Sequence, residues 1–474
     1  LVDVPFPILA ATGRHPQAAG GNLVNCYAEK LPPTAGKPYA YPRVPGLKQF
    51  TAVAGVTPFR GGLLVGNTLY VAVNNKVYAV TSAGVVTTLS GTTPGTTAPL
   101  FMARDNAANP NIVIVSPGDG AAIINAGASA VQAYPDSNVG QPNAVVFLKG
   151  LFFFTYGNAQ SKATNVNTTT INTLAFANAE SKPDTLYCPV PLGNGQLLLC
   201  GSNSMEVWGG SNDTGFPFNY VATINRGVIG PNAISGWQDS FGRGLYFVSD
   251  DFRVYTLSGY TPTLVSSDEV NRMIESDPNQ QAITVNCYIV NGHGFVAIKG
   301  TTWCWEYETD LGSWHIRRSY LQQYWRGALP VNAFGMWLCG DVESGNLLRL
   351  DPTAQDETGN PLRMRIETGP QGAFPAKLRV NQIELYCTKG VGIATGSDPT
   401  QTDPDVEISM SRDAGVTWSN ARRVKVGRQA NGGMHARSSI WGQATGQGVR
   451  WRFDQSSNVP FAFMGADMQF DQLR

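Results

Sequence analysis

Charge is scarce in this chain. Asp, Glu, Lys and Arg make 14% of its 474 residues, and Lys+Arg equals Asp+Glu at 34 each, so the formal net charge is zero. That balance gives no whole-chain basic excess of the kind nucleic-acid binders carry, although a local patch stays open. Histidine is scarcer still: His15, His293, His315 and His435, no two at metal-ligand spacing. His293 reads as a turn residue in NGHG and His315 follows Trp314 inside a strand, which favours structural or surface roles over catalysis. The seven cysteines (Cys26, Cys188, Cys200, Cys287, Cys304, Cys339 and Cys387) are odd in number, widely scattered and never C-x-x-C. They argue against a disulfide framework and a zinc site, and for buried thiols of a protein made in a reducing cytoplasm. No apolar run is long enough to span a membrane, so no membrane insertion is expected. The start, LVDVPFPILAATGRHPQAAGG, has no basic region ahead of an apolar run and does not look like a signal peptide. G-x-S-x-G elbows and Walker loops are missing, and the scattered acids offer no carboxylate pair for glycoside hydrolysis. The expectation is a non-enzyme with no catalytic residue, metal or cofactor.

What is plentiful is glycine (52), proline (30) and short alternating apolar runs. In GNTLYVAVNNKVYAVTSAGVVTTLSG (66–91), Leu69, Val71 and Val73 share one face of a strand, with Tyr70 and Ala72 on the other. Asn74-Asn75 supplies a hairpin turn, Lys76 to Thr81 a return strand, and Val85 to Leu89 a third. Both faces are apolar and need cover. A propeller blade meets that need, and so does one sheet of a β-sandwich.

The pattern recurs. Hairpins centre on Pro117–Gly120, Lys149-Gly150, Gly201–Asn203, Asp250-Asp251, Lys299-Gly300 and Asp341–Gly345. Some seven modules at blade-like spacing favour a propeller over a sandwich or barrel of this length. Helical signal concentrates in SSDEVNRMIES (266–276), with Ser266 or Ser267 as cap and Val270, Met273 and Ile274 on one stripe. The polar 157–171 segment reads as a long projecting loop. Beyond residue 362 the strands lengthen and alternate, as in a separate sandwich. The expected fold is all-β: a β-propeller of six or seven blades over 46–362, a β-sandwich-like platform over 363–474, and an extended arm over 1–45 pairing with that platform. Leu47–Val53 is expected to close the ring by joining the last blade.

Two features of the C-terminal part invite functional readings. Ser411, Asp413, Gly415, Thr417 and Trp418 match S-x-D-x-G-x-T-W, the Asp-box of sialidase-like propellers. Its mechanics are local: the Asp accepts turn amides, the Gly takes a special dihedral and the Trp packs under the hairpin. It is a folding device, and here it occurs once. The basic residues Arg422, Arg423, Lys425, Arg428, Arg437, Arg450 and Arg452 read either as a solvated or subunit-facing strand surface or as positive charge facing DNA once copies assemble.

Across several short stretches the chain resembles the tail hub or nozzle proteins (packaged-DNA stabilisation proteins) of short-tailed bacteriophages. The matching stretches are Asn25-Cys26-Tyr27-Ala28-Glu29, Arg43-Val44-Pro45-Gly46-Leu47, Ala179 to Asp184, Gly201 to Trp208, Gly340-Asp341 and the Asp-Ala-Gly-Val-Thr-Trp hairpin. The resemblance implies a structural virion protein of the tail, made in the host bacterial cytoplasm. It implies a homohexameric ring below portal and head-to-tail adaptor, partnered by tail fibres or tailspikes and by genomic double-stranded DNA passing non-specifically. The other reading is a sialidase-like or glycan-binding propeller, since fold alone does not choose. Segments 157–171 and 390–404 are the loops considered for a DNA gate.

Overall fold

The two-faced alternation of Thr68–Val73 finds its cover on two different sides. Leu69, Val71 and Val73 pack with Ala333, Leu338 and Leu347. Ala72, on the opposite face, packs with Ile112, Ile114 and Ala122. In this computed structural model those partners belong to the preceding and following sheets of a ring. The structure describes residues 2–53, 55–179, 181–211, 215–238, 240–372 and 374–473.

The rule repeats from sheet to sheet. Val113 and Val115 meet Phe152 and Phe154, Phe153 meets Leu197 and Leu199, and Leu198 and Cys200 meet Leu245 and Phe247. Period-two side chains on each strand thus feed both neighbours, and each sheet becomes a wedge with no bare face. The result is a seven-bladed propeller of antiparallel four-stranded sheets: 59–88, 101–133, 144–178, 186–224, 234–264, 284–316 and 327–351. The seventh blade has three strands of its own. Its fourth is Gly46–Thr51, which pairs antiparallel with Leu347–Asp351. The closing strand is therefore the one expected, from the far end of the domain. It covers the edge that Leu347–Asp351 would otherwise leave open.

A helix, Asp268–Glu275, joins blades five and six; Ser267 caps it, and Val270 and Ile274 are buried. One sequence expectation fails. The 157–171 segment is not a projecting loop, because Gln160–Thr164 and Ile171–Asn178 are the outer strands of blade three. Its inward residues are small or hydroxylated, Ser161, Ala163 and Thr164, and the Thr164 hydroxyl accepts from the Phe152 amide at 3.1 Å. A strand whose buried side is that polar has no apolar alternation to read.

The platform is built on the propeller, edge to edge. The outermost strand of blade six, Ser313–Ile316, pairs in parallel with Gly21–Val24. That strand pairs with Met364–Thr368, and the sheet runs on through Arg450–Gln455, Asp405–Ser411 and Arg422–Lys425, nine strands in all. A second sheet centres on Lys377–Cys387, between Ala462–Leu473 and Arg437–Ala444. Val2–Val4 and Tyr39–Pro42 also pair with Ala462–Leu473. Leu378, Val380, Ile383, Ile366, Trp451 and Phe453 fill the space between the two sheets. All seven cysteines are free and buried, and burial pushes the Cys26 and Cys287 thiols up to about 12. No helix among the described residues is long and apolar enough to cross a membrane.

Candidate functional site

The first strand of each blade faces the ring axis, where a cavity of about 540 Å³ opens. Leu63, Phe101, Val145, Pro189, Ile234, Cys287 and Val331, one from each blade, help to line it. Among its described lining residues there is no charged side chain, so they hold no acid–base pair at the axis.

The Asp-box lies on the platform, at the end of Asp405–Ser411. Asp413 accepts from the Thr417 amide at 2.9 Å, the Thr417 hydroxyl at 2.6 Å and the Ser411 hydroxyl at 2.7 Å. The Ser411 hydroxyl in turn accepts from the Gly415 amide at 2.7 Å. Burial pushes the Asp413 carboxyl up, but the Thr417 and Ser411 hydrogen bonds outweigh it and hold it below the usual carboxylate range. Gly415 has φ +104°, and a Cβ there would meet the Arg450 guanidinium at 2.5 Å. Trp418 is half-buried with the Arg452 guanidinium 3.9 Å from its ring centre and Arg450 at 5.9 Å. The hydrogen bonds of Asp413 and Ser411 stay within the box, while Gly415 and Trp418 reach Arg450 and Arg452 and line, with Glu367, a shallow cavity of about 300 Å³.

The basic residues divide into two groups. Arg450 is buried; it donates to the carbonyls of Thr368 (2.8 Å) and Pro16 (2.9 Å) and lies 3.7 Å from Glu367. Arg452 pairs with the same Glu367 at 2.7 Å. These two tie the N-terminal arm, the box and the sheet together. Arg422, Arg423, Lys425, Arg428 and Arg437 are exposed on neighbouring edge segments. Arg422 stacks on Trp441 at 4.0 Å, Arg423 pairs with Glu407 at 3.1 Å, and Lys425 and Arg428 share Asp403. The charge of this edge is thus partly neutralised within the fold.

Sequence spacing gave no hint of one cluster. His293 begins a strand instead of sitting in the turn, and its ring meets Glu308 at 3.0 Å and Asp310 at 3.4 Å. Their ligand atoms lie within 4.8 Å of one another, a geometry that could hold a cation. Arg243 already pairs with Asp310, and Glu308 accepts the Asp310 and Leu311 amides, so the cluster is internally satisfied. The Glu308 hydrogen bond raises the His293 pKa.

Comparison with known families decides among the readings. A family described as "Bacteriophage P22 Gp10, beta-propeller" matches residues 19–355. The chain belongs to this bacteriophage propeller family. It is therefore a phage structural protein of the Gp10 propeller type, and the match takes in the arm strand Gly21–Val24 and the closing strand as well as the blades. No curated protein matches the chain. Solved structures similar to it include virginiamycin B lyase from Staphylococcus aureus (TM-score 0.44, 9% identity, 64% of this chain and 98% of that one). The WD40 propeller domain of Doa1 is similar at TM-score 0.40 and 8% identity, over 65% of this chain and 95% of that one. PorZ of Porphyromonas gingivalis is similar at TM-score 0.39 and 10% identity, over 72% of this chain. There the match spans 45% of the PorZ chain.

Proposed function

We propose that this member of the Gp10 propeller family has no enzymatic activity. It assembles as a six-fold ring at the phage tail, below the portal and its adaptor, docks tail fibres or spikes, and retains and conducts the genomic DNA. One observation carries the reading beyond family membership: the cavity at the axis of the single propeller, about 540 Å³, has no charged side chain among its described lining residues to meet a polyanion. A DNA path has to lie between copies, which requires heterologous contacts that close by rotation. The exposed edge of Arg422, Arg423, Lys425, Arg428 and Arg437 is the candidate for facing that path or a neighbouring copy. Of the two gate loops considered, 157–171 is tied into blade three by the strand Gln160–Thr164, so 390–404 is the stronger candidate. Electron microscopy of the purified chain, and of particles containing it, tests the proposal. Six-fold rings at one capsid vertex are expected; a monomer that turns over sialosides would refute it.

A further inference from the structure

Where the chain leaves blade six for blade seven, a cleft of about 670 Å³ opens against the platform. Four arginines line it, Arg318, Arg363, Arg365 and Arg423, against one carboxylate among its described lining residues, Glu407. In a chain with no net charge, that is a local surplus made by the fold.

Two of the four arginines are already engaged. Arg365 is bidentate to Asp454 at 2.7 and 3.0 Å, and Arg423 is paired with Glu407. Arg318 and Arg363 have no carboxylate partner among the described residues. The Arg318 Nε is buried without a hydrogen-bond acceptor. Burial, and then the like charge of Arg365, pull the Arg318 pKa below the usual arginine range. A desolvated guanidinium beside a like charge is an unfavourable arrangement that an anion would relieve.

The backbones that carry the two free arginines are held side by side from behind. Asn25, at φ 54°, donates its amide to the carbonyls of both Arg318 and Arg363 at 2.9 Å and accepts from the Arg318 amide at 2.9 Å. Residues 293 and 338 positions apart from Asn25 are thereby fixed side by side. Preorganisation of this kind lowers the ordering cost of binding.

The rim of the cleft is not that of a phosphate track. Leu321 is 84% exposed and holds φ 58°, a strained place for an exposed apolar residue, and Tyr320 beside it is 47% exposed. Gln322 and Gln323 offer side-chain amides on the same wall. Paired guanidinium forks, an apolar ledge and amide groups match an extended peptide with acidic and apolar side chains, and the volume suits a short one.

We propose that this cleft is a docking site for an acidic peptide segment of a partner protein, its carboxylates on Arg318 and Arg363 and an apolar side chain on Leu321 and Tyr320. The site is complete in one copy and does not depend on the ring. The test uses the full chain and fluorescein-labelled hexaglutamate, followed by anisotropy at low salt. Saturable binding is expected. R318Q and R363Q should each weaken it by about tenfold, the worth of one charge-assisted hydrogen bond. Both side chains lie outside the Asn25 bracket, whose contacts are to backbone, so the fold stays intact. E407Q should tighten binding, a gain that misfolding cannot mimic. R422Q/R437Q, on the exposed edge, should leave it unchanged. The proposal is overturned if binding does not saturate, if R422Q/R437Q costs as much as R318Q, or if hexathymidylate binds the cleft arginines more tightly than hexaglutamate.

Discussion

Closure of the ring by Gly46–Thr51 makes a quantitative prediction at Leu47. This residue is fully buried and faces Leu350 across the joint, with Glu357 pairing on its other side. Leu47→Ala removes its side chain from a packed site and costs about 2–5 kcal/mol. Taking about 3 kcal/mol, the population in which the closing strand is detached rises on the order of a hundredfold. Detachment frees Leu347–Asp351, whose partner it is, while blade four on the far side of the ring keeps its own four strands. Hydrogen exchange followed by mass spectrometry reads this directly. Amides of Leu347–Asp351 should exchange faster by about that factor, with those of Leu197–Gly201 changed far less. Unaltered protection at Leu347–Asp351 in a variant confirmed to be destabilised would refute closure by this strand.

Three more outcomes follow from named contacts. Gly340→Ala places a Cβ 1.9 Å from the Phe59 ring, at the joint between blades seven and one; a loss of about 1–3 kcal/mol or more is expected, read as a lowered thermal midpoint. Arg60, fully buried, donates to the carbonyls of Ala98, Asn74, Gly95 and Pro94 and the hydroxyls of Thr93 and Ser116 at 2.6–3.1 Å. Arg60→Met strands these acceptors and should cost about 3–5 kcal/mol in urea unfolding. His293 has a folded pKa raised above 6.5 by Glu308. Its stabilising contribution is complete below pH 6.5 and fades as pH rises through the folded value, so His293→Gln should lower the melting temperature more at pH 6 than at pH 8.5.

Local chemistry was written in the chain. Hairpin turns sit where Asn74 (φ 52°), Lys149 (φ 50°) and the Asp-box loop take left-handed dihedrals, and Leu69, Val71 and Val73 alternate as buried strand residues must. Such signals reach only two to four positions along the sequence, which is why blade strands and the box hairpin were legible. Blade three's outer strands were not, because their inward side chains are Ser161, Ala163 and Thr164.

Closure of the ring by Gly46–Thr51 apart, relations across long sequence separations came from the tertiary structure. Alternation says that Gly21–Val24 is a strand, but not that it joins Ile316 to Met364–Thr368 in one nine-stranded sheet. The seven basic residues were adjacent in sequence order, yet Arg450 and Arg452 are internal ties and the others edge residues. Arg318 and Arg363 look unrelated until Asn25 brings their backbones together. Coulomb attraction and desolvation act through space, so which charges are neutralised and which are left unpaired is decided only after every strand has found its register.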